Sequence, residues 1–291
     1  MTETIRVNET FTSLQGECRN VGHVSTFIRL FGCNLKCPGF SLPKGQPNTE
    51  IPMIIKNIDQ YKCYEDLPLS KTGCDSYPSS WSEFKRFSIE YTFEQLYQKM
   101  QELANNNPNG MDLVFTGGEP LLKPSQKKLV KFFDQYINFI NQYSSITFET
   151  NGTQSITDEM KDWLVNRCKI PVLFSVSPKL ECSGESEKRR LVPSAVESIN
   201  QTVKQICANK SAVVNLKYVV KDEDDVLEAL DNANKLGFKK GIDGDIYLMP
   251  VGGTYDDYMN NQKLIAELSI KYRCIFCCRI HQIIWSNSWS R

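Results

Sequence analysis

The sequence predicts an α/β fold: a mostly parallel sheet of six strands with helices outside it, laid open or curled into a partial (β/α) barrel. Three observations carry this. Short β-rich runs alternate with longer helical patterns, and the runs are apolar on both faces, as buried parallel strands are. The unusual residues fall just after the runs, at the strand ends where chemistry gathers in such folds.

The strands are read in order from "STFIRLFG" (25–32), "MDLVFTGG" (111–118), "SSITFETNG" (144–152), "PVLFSVSPK" (171–179), "VVNLKYVV" (213–220) and "DIYLMPVGG" (245–253). Between the first two, Thr92 and Gln95 form a capping box ahead of Phe93, Leu96, Met100 and Leu103 on one helical face. Leu129, Phe132, Phe133, Tyr136, Ile137 and Ile140 make a second stripe. Val226, Leu227, Leu230 and Leu236 make a third, stopped by Gly237. After these strands come "GC", "TGGEP", "ETNGT", "SPK" and "MPVGG". Any one could be an ordinary turn, but five on one rim point to a site. Residues 38–91 break the rhythm, rich in Pro, Ser and Lys with little periodicity; a stretch of this length inside a compact domain is functional or disordered.

The 291 residues suffice for one large domain or two small ones, and a hydrophobic share of 41% is that of an ordinary globular protein. With 34 basic and 34 acidic residues the net charge is zero, so bulk electrostatics predict no direct nucleic-acid or acidic-membrane partner. No apolar run is long enough to cross a bilayer and the amino terminus lacks a signal peptide's apolar centre, so a cytoplasmic location is expected. Eleven cysteines are many for a reducing compartment, where thiols bind metal or do redox chemistry. Cys168 and Cys207, inside helix-like patterns, read as small buried hydrophobes.

In "FGCNLKCPGF" (31–40), Cys33 and Cys37 begin a C-x3-C-x2-C loop whose third position is Phe40. Three thiolates would hold three irons of a 4Fe-4S cluster and leave the fourth iron open to a ligand. The pair alone is weak evidence, equally compatible with zinc or burial. Cys74 in "GCDS" is the favoured third ligand, displaced by 34 inserted residues; Cys63 is its rival. The longer loop costs only ~2–3 kcal/mol of closure entropy, against about 10–16 kcal/mol for metal binding in small sites. Cys274, Cys277 and Cys278 suggest a second metal site, but "RCIFCCRI" reads better as a final buried strand.

The ordered motifs "FTSLQGE" (11–17), "FIRLFGCNLKC" (27–37), "GCDS" (73–76), "FTGGEP" (115–120), "ETNGT" (149–153), "SPK" (177–179), "LKYVV" (216–220) and "RIHQIIW" (279–285) resemble 7-carboxy-7-deazaguanine synthase of the radical S-adenosylmethionine (SAM) superfamily. The resemblance covers nearly the whole chain outside the insertion, which is similar to that of viral members. It implies a single partial-barrel domain, 1–291, with residues 38–91 inserted in the cluster-binding loop. It implies cluster ligands Cys33, Cys37 and Cys74, and magnesium on Ser76 where the family has threonine. Asp75, Gly117, Gly118, Glu119, Thr150, Ser177, Pro178 and Lys179 would line the S-adenosylmethionine site. Leu14, Gln15, Gly16, Arg29, Thr116 and His281 would hold the pterin, with Glu17 on a pterin nitrogen or facing solvent.

Arg29 has an independent warrant: a guanidinium near the end of an apolar strand needs a partner, and a carboxylate suits its fork. His281 competes with the reading of a satisfied core histidine, and His23 has no motif to recommend it. The implied reaction uses a flavodoxin-like or ferredoxin-like electron donor. A 5′-deoxyadenosyl radical takes hydrogen from C6 of 6-carboxy-5,6,7,8-tetrahydropterin, and ring contraction with loss of ammonia gives 7-carboxy-7-deazaguanine. Homodimerisation is expected by analogy only. Queuosine in transfer RNA, a pyrrolopyrimidine metabolite and modified viral DNA are all open as destinations. Two rival functions remain: an activase that installs a glycyl radical on anaerobic ribonucleotide reductase, and a non-catalytic zinc protein holding metal with Cys33, Cys37, Cys63 and Cys74.

Overall fold

A computed structural model describes residues 3–252, 255–286 and 288–290; Gly253 of "MPVGG" lies outside them. One sheet organises the chain. Its strands are β1 (Thr4–Leu14), β2 (Val24–Leu30), β3 (Ile89–Thr92), β4 (Asp112–Gly117), β5 (Ser145–Thr150), β6 (Val172–Val176), β7 (Ala212–Val220), β8 (Ile246–Pro250) and β9 (Ile275–Phe276), in the order β3-β1-β2-β4-β5-β6-β7-β8-β9. All pairings from β2 through β9 are parallel, while β1 runs antiparallel to both β2 and β3.

The six expected strands are all present and adjacent, but the sheet has nine. Those missed lack a continuous apolar run. β1, "TIRVNETFTSL", alternates polar and apolar residues, while β3 has four residues and β9 only two. The final "RCIFCCRI" stretch is therefore a two-residue edge strand followed by loop and helix.

Side-chain alternation divides the sheet into two working faces. Ile28, Leu30, Phe115, Phe148, Phe174, Leu216 and Leu248 point outward and form one core with the helices Phe93–Leu103, Lys123–Gln135, Pro193–Ile206, Glu223–Lys235 and Tyr255–Tyr272. The capping box forms as expected, with Gln95 N donating to Thr92 Oγ1 and Thr92 N to Gln95 Oε1. The second stripe is two helices, Lys123–Gln135 and Ile137–Ile140, broken at Tyr136. In the third stripe Leu227 faces solvent, and Val226, Ala229 and Ala233 make the buried contact.

The inner face carries Glu9, Phe11, Phe27, Arg29, Thr116, Glu149, Ser175, Lys217, Val219 and Met249, residues from seven strands that line a single cavity. The sheet therefore curls around that cavity. A bulge at Asn8 shifts the β1–β2 register between Val7 and Glu9, which sets Glu9 opposite Arg29.

Residues 31–88 connect β2 to β3. They build short helices, including Glu50–Lys56, over a small apolar core formed by Ile51, Ile54, Tyr64, Leu67, Tyr77, Phe84 and Phe87. No helix among the described residues is long and apolar enough to cross a membrane.

Candidate active site

The gap in the cysteine motif closes in three dimensions. Phe40 O accepts from Gly73 N at 2.8 Å, so the chain departs and returns one hydrogen bond apart and delivers Cys74 beside position 40. Asn48 reinforces the closure by donating to Pro38 O at 3.1 Å. Cys33, Cys37 and Cys74 all line the cavity. Cys63 is exposed at the turn before Tyr64, where its N–H bonds Asp66, and it does not reach the cavity.

The thiol loop is pinned from below. Glu185 accepts from Lys36 N at 2.6 Å and Cys37 N at 2.9 Å, while Cys37 takes a left-handed φ of 46°, a conformation costing a non-glycine residue about 1–2 kcal/mol. Asn151 Nδ2 bonds Asn34 Oδ1 at 3.0 Å, tying the loop to the end of β5. Burial pushes all three thiols up, Cys74 to about 12. Cys37 is raised further by ionised Cys74 and Cys33, and Cys74 by Asp75 and Cys33. Lys179 opposes the rise at each of them.

Three thiols on one cavity wall are the soft donor set that an iron–sulfur group takes. Among the described residues no three His, Cys, Asp or Glu side chains converge on a single ion.

The rim expected to take S-adenosylmethionine divides. Gly117, Gly118, Thr150, Ser177, Lys179 and Asp75 line the cavity, whereas Glu119 and Pro178 do not. Glu119 is fully buried behind the wall, where it accepts from Leu121 N (2.9 Å), Thr150 Oγ1 (2.7 Å) and Asn151 N (2.7 Å). It ties "TGGEP" to "ETNGT", and its three donors turn the carboxylate inward, behind the cavity wall. The glycines answer to packing first. A Cβ on Gly117 would lie 2.2 Å from Leu30 O, and one on Gly118 2.2 Å from Gly32 O.

All the residues matched to pterin positions line the same cavity. Gln15 Nε2 donates to Glu149 Oε1 at 3.2 Å and Thr116 Oγ1 to Glu149 Oε2 at 2.8 Å. Glu17 pairs with Lys217 and with Arg279 Nε at 3.1 Å, and Arg279 reaches Asp75 Oδ2 at 3.1 Å. Burial raises the Glu17 carboxyl, but the cations Lys217 and Arg279 more than reverse this and hold it well below the usual carboxylate range. Glu17 is thus a largely enclosed ion-pair partner, its side chain 13% exposed.

Burial and Arg279 push His281 down to about 4, so its ring is neutral at pH 7. It packs against Gly16, where a Cβ would meet Nδ1 at 1.9 Å. Arg29 already has a carboxylate: its Nε donates to Glu9 Oε2 at 2.8 Å, and NH1 to Ser76 Oγ at 3.1 Å. A guanidinium proton on Ser76 opposes a divalent cation at that oxygen, so the donors as arranged do not fit magnesium.

Glu9, Glu149, Lys217 and Arg279 were not singled out from the sequence. Lys217 carried a signal, being a charge within the apolar run "VVNLKYVV". Glu9 was hidden with β1. Of the remaining cysteines, Cys168 is buried as expected, but Cys207 is exposed because it caps a helix end. Cys277 is buried with Sγ 3.7 Å from Cys18 Sγ, while Cys274 lies beside Lys240 and Tyr272. His23 bonds Asp112 Oδ2 at 3.0 Å, outside the cavity.

Fold and site together define an α/β protein whose parallel strands surround one charged cavity with three thiols on its wall. No family model matches the chain. It is 28% identical to 7-carboxy-7-deazaguanine synthase of Rhodopirellula baltica, across 97% of this chain and 86% of that protein. It is 24% identical to that of Halobacterium salinarum, across 97% and 91%. The crystal structure of QueE from Escherichia coli shares the fold with a TM-score of 0.52 at 20% identity, covering 94% of this chain and 93% of that one. The resemblance to 7-carboxy-7-deazaguanine synthase holds over nearly the whole chain.

Proposed function

We propose that the chain is a 7-carboxy-7-deazaguanine synthase: a radical SAM enzyme with a partial (β/α) barrel, converting 6-carboxy-5,6,7,8-tetrahydropterin to 7-carboxy-7-deazaguanine and ammonia. The observation that carries this reading is the Phe40–Gly73 closure, which completes a three-thiol wall from residues 37 positions apart in sequence. Cys33, Cys37 and Cys74 would hold the 4Fe-4S cluster, with Gly117, Gly118, Thr150, Ser177 and Lys179 beside it for S-adenosylmethionine. When bound, these groups supply an electron and a primary carbon radical.

The protein's part is positioning. Arg29 faces the cavity with one guanidinium nitrogen unused among the described residues and suits the substrate carboxylate. Gln15, Glu149 and Thr116 present a linked amide, carboxylate and hydroxyl, suited to the donor and acceptor edge of a pterin. Neutral His281 adds an imidazole that can donate or accept. Phe11 and Phe27, stacked with centroids 4.8 Å apart, give the pocket an apolar side. No step is assigned to magnesium.

Residues 38–91 are proposed as an insertion within one domain, and the enzyme as a cytoplasmic homodimer served by a flavodoxin-like or ferredoxin-like donor. Cover from Trp289 and Ser290 at the cavity favours a small substrate over a protein loop, which weighs against the activase. The exposed Cys63 weighs against a four-thiolate zinc site.

The deciding experiment reconstitutes the cluster anaerobically and supplies reductant, S-adenosylmethionine and the carboxytetrahydropterin. Formation of 7-carboxy-7-deazaguanine with one ammonia is expected. 5′-Deoxyadenosine without the deazaguanine would favour the activase, and zinc without iron would end the radical proposal.

A further inference from the structure

The inserted segment and the carboxyl-terminal tail meet at Glu9. This buried carboxylate has four donors. Oε2 accepts from Arg29 Nε at 2.8 Å and from the Tyr64 hydroxyl at 3.4 Å; Oε1 accepts from Ser290 N at 2.8 Å and Ser290 Oγ at 2.9 Å. Trp289 stands edge-on to Tyr64 with ring centroids 5.0 Å apart and donates its indole N–H to Leu67 O at 2.8 Å, fastening the tail to the segment. Ser290 takes a left-handed φ of 61°, unfavourable for a residue with a Cβ, and directs both of its donors onto one oxygen. Burial, then Glu9, push the Tyr64 phenol well up, so it stays a donor.

This arrangement bears on the seat of the substrate carboxylate. Arg29 spends Nε on Glu9 and NH1 on Ser76, and its second terminal nitrogen has no partner among the described residues. A carboxylate with one guanidinium as its only partner closes on it with both oxygens. Here Oε1 is taken by Ser290, so Glu9 meets Arg29 through one oxygen only. Resting on the function proposed above, we infer that Tyr64 and Ser290 are specificity-determining positioning residues: they draw the charge of Glu9 away from Arg29 and keep the guanidinium open to the carboxylate of the pterin. One insertion then serves two parts of the cavity, with Cys74 on the thiol wall and Tyr64 behind Arg29.

The test compares binding of two fluorescent probes, pterin-6-carboxylate and unsubstituted pterin, to the cluster-loaded protein under anaerobic conditions. Wild type should prefer the carboxylate by ~10-fold, the worth of a charge-assisted contact. Tyr64→Phe/Ser290→Ala removes two of the four donors to Glu9 and should cut that preference severalfold while leaving pterin affinity unchanged. Ser290→Pro cannot keep φ at 61° and has no N–H to give, so it releases Glu9 from the tail without touching the sheet and should do the same. Adding Glu9→Gln to either variant removes the competing charge and should restore the preference, which a merely structural role would not do. An unchanged preference in both released variants, or no rescue by Glu9→Gln, overturns the inference while leaving the assigned function standing. If wild type binds neither probe, the substrate assignment itself fails and the inference with it.

Discussion

Gly118→Ala is a one-methyl test of how the thiol wall is assembled. The added Cβ would lie 2.2 Å from Gly32 O and 2.8 Å from Ser79 O, both backbone atoms. Ordinary contact begins near 3.4 Å, so the Gly32 carbonyl has to retreat by about 1.2 Å. That oxygen accepts from Glu119 N at 2.8 Å, and Gly32 N donates to Ser79 O at 2.8 Å. The movement breaks the first bond and drags on the second, disturbing the loop that starts Cys33 and the turn that follows Cys74. One lost hydrogen bond is worth about 1 kcal/mol and overpacking about 1–3 kcal/mol. A loss of about 2–4 kcal/mol lowers the melting temperature of a chain this size by roughly 5–10 °C.

The control is Gly110→Ala, where φ is +83° and nothing lies within 4 Å of the new Cβ. Only backbone strain of about 1–2 kcal/mol applies there, with no effect on the thiols. Melting followed by circular dichroism, and iron per chain after anaerobic reconstitution, are the assays. A Gly118→Ala protein that melts within about 1 °C of wild type and binds a full complement of iron would refute the steric account.

Two further predictions concern the same cavity. Cys74→Ala should abolish cluster assembly, read as iron and sulfide content and the visible absorption band, while Cys63→Ala should leave both intact; the reverse pattern would dismiss the Phe40–Gly73 closure as the means of completing the motif. His281 sits at about 4 in the folded protein against an ordinary 6.5, lowered by burial and then Arg279. The unfolded chain therefore binds its proton first as pH falls. Stability is full above 6.5 and declines between 6.5 and about 4, by on the order of 2–3 kcal/mol. His281→Gln should flatten denaturation midpoints over that window, and an unchanged slope would show that other groups carry it.

Strands β2 and β4 to β8 were legible because parallel strands buried on both faces leave apolar runs that no surface element imitates. Cys33, Cys37 and Arg29 were legible because closely spaced cysteines and a cation in an apolar strand are unusual without a partner, and the rim turns stood out by their Gly, Pro and Asn at the strand ends. β1 was not, since an antiparallel strand that shows one polar face alternates like many surface segments. With β1 went Glu9, the carboxylate that pairs with Arg29. The inward turn of Glu119 was not legible, because motif membership does not say which way a side chain points.

What the sequence determined by itself is the kind of chain this is: alternating elements, a rim of special residues at the strand ends, and a cysteine pair awaiting a third. Burial pattern and residue chemistry are local properties, and they survive in a linear reading. The tertiary structure alone decided that Phe40 and Gly73 meet and bring Cys74 to the cavity wall, that Glu17 is locked between Lys217 and Arg279, and that Tyr64 and Ser290 meet across Glu9. Each of these joins residues far apart along the chain, and such pairings depend on where an insertion closes and how a sheet curls, which no spacing along the sequence encodes.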